Sequence, residues 1–192
     1  MATTYIISIH VGKGKTAYQS IKERLDYIMN PEKTDGGLLI SSHACFPETA
    51  ADEFMLYRQE YLNITGRKRG DEVLAYHVRQ AFKPGEITAE KANEIGKALA
   101  ERLTDKQHAF VVATHIDKQH IHNHIIFCAT SLDGRQKYRD VKRSAKELVQ
   151  ISDALCEENG LSVICNPQDK AVPYDKWAAI GKRAVTGMIF ES

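Results

Sequence analysis

Four of the chain's eight histidines fall within ten residues: His115, His120, His122 and His124. They lie in Thr114-His115-Ile116-Asp117-Lys118-Gln119-His120-Ile121-His122-Asn123-His124. Side chains two apart on a strand point to one face, so His122 and His124 project together, and His115 closes a triangle from the neighbouring arm of a hairpin. Three neutral imidazoles suit Zn, Mn, Fe, Co or Ni. A set of only three protein ligands leaves coordination positions open, which is the plan of a catalytic rather than a structural site. His120 falls in the connecting loop, either as a neighbour that orients a ligand or as a solvent-facing ring. The alternative is a histidine-rich hairpin, exposed or packed, with its ring nitrogens hydrogen-bonded in the ordinary way. A zinc-hydrolase pattern His-x-His-x-Asp-His does not fit, because read from His120 it puts His124 at the Asp position and Ile125 at the last His.

The elements that must position these residues are legible in the periodicity. Thr4–His10 alternates as a strand, and Ala17–Met29 carries Ile21, Leu25 and Ile28 at helical spacing before Pro31 stops it. A second helix is expected from a Thr49 N-cap through Phe54, Tyr57 and Tyr61, ending before the polar turn at 66–70. Leu74–Phe82 alternates again, and Thr88 caps a helix with Ile95, Leu99 and Leu103 on one face. Ala109–Ile116 and His122–Thr130 form the antiparallel hairpin that carries the histidines. A last helix, with Val141, Ala145, Leu148, Ile151 or Ser152 and Leu155 inward, ends at Asn159-Gly160, and Leu161–Cys165 reads as a closing strand. The best-defined strand pair is a hairpin, so the fold class is α+β, with a mainly antiparallel central sheet flanked by helices. Residues 1–166 form one domain, and 167–192 a C-terminal extension or the start of a further region.

Composition narrows the function. At 192 residues with 43% hydrophobic and 27% charged residues, the chain can bury a core, and no window approaches a membrane span. The N-terminus lacks a basic stretch ahead of its apolar residues, so a cytoplasmic protein without membrane association is expected. Cys45, Cys128, Cys156 and Cys165 form no C-x-x-C pair, which disfavours a disulfide framework and a cysteine zinc site. A net charge of +1 excludes a polycationic coat, so nucleic-acid binding must come from locally segregated charge. Arg67-Lys68-Arg69 and the cations Arg135, Lys137, Arg139, Lys142, Arg143 and Lys146 are such clusters.

The hairpin His115-x-Asp117-x-x-His120-x-His122-x-His124 followed by Ile125-Ile126-Phe127 resembles the third motif of the relaxase and mobilization nuclease family, in the branch that includes the agrobacterial T-DNA relaxase. Leu25-Asp26-Tyr27-Ile28-Met29-Asn30-Pro31-Glu32-Lys33-Thr34 resembles the family's N-terminal motif of a helical Tyr followed by an Asn-Pro-x-Lys-Thr turn. Tyr76–Glu86, ending Phe82-Lys83-Pro84-Gly85-Glu86, is similar to its middle motif. The resemblance spans about Tyr5 to Ile164 and departs from the family pattern at Ala81, where Ser is common, and at Cys128, where Asn is.

That resemblance implies an HUH-type endonuclease and a conjugative or mobilization relaxase. Such an enzyme nicks single-stranded DNA at a transfer origin by transesterification, leaving a 5′-phosphotyrosine and a free 3′-OH for religation. Its implied cofactor is one divalent metal ion, Mg or Mn in function with Zn, Co or Ni able to bind, on His115, His122 and His124. Its implied partners are the origin DNA, accessory relaxosome proteins and a coupling protein. Tyr27 is the implied nucleophile. Helical phase agrees, since Tyr27 sits about 120° from Ile21, beside Ser20, Glu23 and Arg24 and off the apolar stripe. A phenol is a weak nucleophile at neutral pH and needs a Lewis acid and cationic neighbours. Glu86, Asp117 and His120 are candidates to orient a ligand or move a proton, although a solvent-exposed Glu86 or Asp117 is the commoner case. Arg24, His77, Arg79, Arg135, Lys137 and Arg139 are candidate DNA contacts, although His77 and Arg79, on one strand face, could look onto the metal site instead. The competing functions are an HUH replication initiator or transposase, a metal-dependent hydrolase using water as nucleophile, and a non-catalytic DNA-binding module with a structural metal.

Overall fold

The alternating isoleucines at the start of the chain enter a sheet as β1, Thr3–Ile9. A capping box at Thr16, reciprocated by Gln19, then starts α1, Ala17–Ile28. The remaining elements are β2 (Ile40–His43), α2 (Ala50–Thr65), β3 (Ala75–Ala81), α3 (Ala89–Thr104), β4 (Phe110–His115), β5 (His122–Cys128) and α4 (Lys142–Glu158). The structure, a computed structural model, describes residues 2–67, 70, 72–139 and 142–163. The expected extension at 167–192 and the cations Lys68 and Arg69 therefore lie outside the described residues.

Five strands form one sheet in the order β1-β3-β5-β4-β2, and every neighbouring pair is antiparallel. Both faces are covered. On one, Ile9, Ala75, Val111, Ala113, Ile126 and Cys128 pack under α1 and α2 through Ile21, Leu25, Ile28 and Phe54. On the other, Val78, Phe110, Val112, Ile125 and Phe127 pack under α3 and α4 through Ile95, Leu99, Leu148 and Leu155. Burial on both faces explains why β4 and β5 carry apolar residues at successive positions, Phe110–Ala113 and Ile125–Cys128.

The structure departs from the sequence reading in several places. β2 had no recognisable pattern, because Ile40-Ser41-Ser42-His43 neither alternates nor carries β-branched residues beyond Ile40; it joins the sheet by edge pairing with β4. Thr49 is the N-cap residue of α2, as expected, but its side chain makes no capping hydrogen bond. A 3-10 turn at Pro47–Thr49 runs straight into the helix, and Glu53 takes hydrogen bonds from the Phe46 N–H and the Thr49 hydroxyl instead. In α4, Ala145 points outward while Ser144 and Ser152 are buried beside Leu148 and Leu155. Leu161–Val163 are not in a strand, and 164–165 lie outside the described residues.

A buried polar network fixes the strands behind the histidines. Asn123 lies between His122 and His124 and points to the α3 side, where its amide donates to Gln80 Oε1 at 3.0 Å and to the Ala92 carbonyl at 2.6 Å. Its Oδ1 accepts from Thr114 Oγ1 at 2.7 Å, and Asn93 of α3 donates to that same hydroxyl at 3.0 Å. Gly96 makes room for this network: a Cβ there would stand 2.5 Å from Asn123 Nδ2 and 3.0 Å from Val112 Cγ1. Gly96→Ala is therefore expected to cost about 1–3 kcal/mol by overpacking, despite the higher helix propensity of Ala. Thermal unfolding checks this; a midpoint equal to or above that of the parent chain would contradict the account.

Candidate active site

The register of β1, β3, β5 and β4 lays the site out in rows. One row across the sheet runs Thr3, Ala81, His122, His115, and the next runs Tyr5, Arg79, His124, Ala113. All three predicted ligand histidines are buried, and one nitrogen from each lies within 4.8 Å of the others. Ring centroids are 4.4 Å apart for His115 and His124, 5.0 Å for His122 and His124, and 5.1 Å for His115 and His122.

Each ring is held by its other nitrogen. His115 Nε2 donates to the Ile28 carbonyl at 2.7 Å, leaving Nδ1 for a ligand. His124 Nδ1 lies 2.8 Å from Nε2 of His77, and His122 Nδ1 lies 3.3 Å from the His120 carbonyl. This is the pattern by which outer groups fix the tautomer and aim of metal-binding imidazoles, so the donor set fits a divalent cation. The protonation states fit as well. Burial, reinforced by Arg79, pushes His122 down to about 3, and burial with help from Arg24 and Arg79 pushes His77 down to about 4. Burial also lowers His124, with its neighbouring histidines adding to the effect, and lowers His115 against the support of its Ile28 bond. All four are neutral, and so able to ligate or to accept, at neutral pH.

An acid-stability prediction follows with a definite sign. Unfolded histidines take protons near pH 6.5, while His77 and His122 in the folded chain resist until about 4 and about 3. Their contribution is complete above 6.5 and lost progressively as pH falls toward those values. In chelator, the melting temperature should fall between pH 7.5 and pH 5, a window above ordinary carboxylate titration. A flat melting temperature across that window would contradict this assignment.

Tyr27 occupies the last turn of α1, and its ring meets His115 and His124 edge-on at centroid distances of 6.2 and 6.0 Å. It is 52% exposed, whereas Ile21, Leu25 and Ile28 on the same helix are buried. Tyr18, half a turn out of phase, packs against the α1/α2 core. The turn after α1 completes the arrangement. Asn30 Oδ1 accepts from the Glu32 N–H, the Thr34 hydroxyl donates to the Asn30 carbonyl, and the Lys33 carbonyl accepts from the Ile116 N–H at 3.0 Å. This pins the turn to the end of β4 and sets Lys33 Nζ 4.6 Å from the centre of the Tyr27 ring. The sequence reading gave Lys33 no role, although it stands in the Asn-Pro-x-Lys-Thr turn that drew attention to Tyr27.

Arg79 stands one strand from His124, and its Nε is buried with no hydrogen-bond partner among the described residues. Arg24 is exposed on α1 and close enough to His77 for its charge to be felt there. Other candidates take different places. His77, a candidate to look onto DNA or the metal site, meets His124. Asp117 pairs with Lys33 at 3.9 Å. His120 presents its backbone carbonyl to His122, with its ring 5.2 Å from that of His122. Glu86 is drawn away, because its Oε1 accepts from both the N–H and the hydroxyl of Ser162 beyond α4.

Arg135, Lys137 and Arg139 follow the far end of β5, roughly 20 Å along the strand from His122. Lys137 is already committed there, to the Glu72 carboxylate and at 3.2 Å to the Val73 carbonyl, while Glu72 also holds Arg58. Arg135 and Arg139 are exposed at that end. The cations gathered around the histidines are thus Arg24, Lys33 and Arg79, scattered in sequence and invisible as a cluster.

The family model for the nuclease domain of MobA/VirD2-like relaxases matches residues 27–161. A Staphylococcus aureus relative, "Protein rlx", is 42% identical over 109 residues, covering 56% of this chain and 34% of its own length. The group II intron-interrupted relaxase LtrB of Lactococcus lactis subsp. cremoris is 30% identical over 187 aligned residues, covering 79% of this chain and 33% of its own. The chain thus spans about a third of the length of these relatives. In fold it is similar to a solved structure described as "Molecular Basis of Vancomycin Resistance Transfer in Staphylococcus aureus", with a TM-score of 0.50 over 85% of this chain and 96% of that one, at 13% identity. Because the family match begins at Tyr27 and runs through all three buried histidines over well more than half of the sequence, the chain belongs to the MobA/VirD2-like relaxase nuclease-domain family.

Proposed function

We propose that this chain is the nicking domain of a conjugative or mobilization relaxase, cutting one strand of single-stranded DNA at a transfer origin through Tyr27. The observation that carries this reading is the placement of Tyr27, half exposed yet edge-on to two of three histidines that can share a cation. His115 through Nδ1 and His122 and His124 through Nε2 would hold one divalent metal, Mg or Mn in function, with Zn, Co or Ni able to bind. When bound, that cation supplies Lewis acidity to a non-bridging oxygen of the scissile phosphate.

The chain's own groups do the rest. Arg79, opposite His124 in the same row, brings a guanidinium charge to the phosphate, and Lys33 places a positive charge beside the phenol where negative charge gathers during attack. The Tyr27 oxygen forms the new bond to phosphorus as the bond to the 3′ oxygen breaks. The proton given up by the phenol is matched by the one the released 3′-hydroxyl gains. The product is a 5′-phosphotyrosine, and attack by a 3′-OH reverses the step and religates the strand. His77 acts through His124, accepting the Nδ1–H that leaves Nε2 directed at the cation. Origin DNA is the substrate, and accessory relaxosome proteins and a coupling protein are the proposed partners of the longer protein.

The test is incubation with pooled single-stranded oligonucleotides from the transfer origin of the chain's own element, with Mn or Mg. A denaturant-stable, slower-migrating species that disappears in chelator supports the reading. Cleaved DNA with no protein attached would favour a hydrolase that uses water.

A further inference from the structure

The apolar residues of the central strands do little to fix how those strands align. β4 is apolar at every position from Phe110 to Ala113 and β5 from Ile125 to Cys128, so the helices on both sides of the sheet meet apolar side chains there. Sliding one strand past its neighbour by a single residue turns each of its side chains to the opposite face. Over these stretches such a slip exposes nothing. The connection does not fix the alignment either, because the loop 116–121 is longer than the two-residue turns whose geometry dictates pairing. A slip of two residues keeps the faces but carries His122 and His124 about 7 Å along the strand, out of line with His115.

What distinguishes the native alignment is a row of polar side chains on the face away from the histidines. Gln80, Asn123 and Thr114 are cross-strand partners on β3, β5 and β4, and all three are fully buried. Gln80 follows Arg79, Asn123 separates His122 from His124, and Thr114 precedes His115. Their bonds run along the row, from the Thr114 hydroxyl to Asn123 Oδ1 and from the Asn123 amide to Gln80 Oε1. Both ends are anchored on helices. Gln80 Nε2 donates to Ser152 Oγ of α4 at 2.9 Å, and Thr114 Oγ1 accepts from Asn93 of α3. In this register every polar side-chain atom of the three residues has a partner. A slip of β5 by one residue puts His122 or His124 in the place of Asn123, and a slip by two puts Ile121 or Ile125 there. Either leaves a buried amide and a buried hydroxyl without their partner in the row, which costs the full desolvation of those groups.

We propose that Gln80, Asn123 and Thr114 are positioning residues that select the strand register of the metal site, and that they act through His115, His122 and His124 from the other face of the sheet. The proposal rests on the ligand assignment of the relaxase reading above and deepens it: the histidines are brought into line by a polar row rather than by the apolar core. What the row contributes is selection among alignments, not net stability, since replacing both partners of a buried hydrogen bond by apolar groups of the same shape is close to neutral, whereas a fully satisfied buried network specifies one arrangement.

The test is a triple variant, Gln80→Met with Thr114→Val and Asn123→Leu, in which each side chain keeps its approximate shape and loses its polar atoms. It should unfold cooperatively at a midpoint close to that of the parent chain. Its affinity for Zn, read by calorimetry, should nevertheless fall at least about tenfold, as it does when the binding-competent register holds a tenth or less of the population. Without metal, the ring C–H resonances of His115, His122 and His124 should appear in more than one set, and saturating Zn should return them to one. Thr114→Ser, which keeps the hydroxyl, should bind Zn as the parent does. A single set of histidine resonances in the metal-free triple variant would overturn the proposal at any Zn affinity. A triple variant that no longer folds would overturn it too, because the row would then be a source of stability rather than of alignment. A parent chain that binds no Zn would instead overturn the ligand assignment on which the relaxase reading stands.

Discussion

Tyr27→Phe is expected to bind divalent metal and single-stranded DNA as the parent chain does, yet to form no covalent adduct. The substitution removes one oxygen from a half-exposed ring and leaves the edge-on contacts with His115 and His124 intact, so folding should change little. The loss of adduct should be complete. No other tyrosine on α1 can substitute, because Tyr18 packs toward α2 on the opposite side of the helix. Denaturing electrophoresis with labelled DNA reads this directly. An adduct that persists in the Phe variant would show that the ring only packs.

The second large effect is at the histidines. His124→Ala removes the central imidazole, which touches His115, His122 and His77. Metal binding by titration calorimetry should be abolished, and DNA cleavage with it. His77→Ala tests the support beneath that ligand. It keeps all three donors but leaves His124 Nδ1 without its partner, so metal affinity should fall about 10- to 100-fold rather than vanish. His120→Ala should do less still, because the carbonyl that meets His122 Nδ1 belongs to the backbone of residue 120 and survives the substitution. Equal losses in all three variants would mean that the ligand set is misassigned.

The parts of this site legible in the sequence were those governed by local spacing. The alternation of His122 and His124, and their pairing with His115 across a short loop, follow from strand geometry alone, and the β4–β5 register brings His115 opposite His122. The apolar stripe of α1 was equally plain, and it placed Tyr27 outside the core before any contact was known. What could not be read were the contacts between elements distant in the chain. His77 reaches His124 only because β3 pairs with β5 in a sheet whose strand order is not sequential. Lys33 reaches Tyr27 only because its carbonyl is tied to Ile116, eighty-odd residues later.

Charge density along the sequence differs from charge density in space for the same reason. The basic run at 135–146 is dense in sequence, but it begins at the far end of the sheet and spends Lys137 on a partly buried acid. Arg24, Lys33 and Arg79 are single cations on three different elements, and topology alone gathers them. Even so, binding to single-stranded DNA should weaken steeply with salt, since these cations would displace counterions from phosphates. Charge reversal at Arg24 should weaken it more than reversal at Arg135. The reverse ranking would return the DNA path to the distant cluster.

The most direct measurement is to digest the covalent species with protease and nuclease and sequence the modified peptide by mass spectrometry. The account predicts a nucleotide 5′-phosphate esterified to the Tyr27 oxygen, formed only when divalent metal is present. Nucleotide on Tyr18 or any other residue, or an equal yield with metal verified absent, would contradict it.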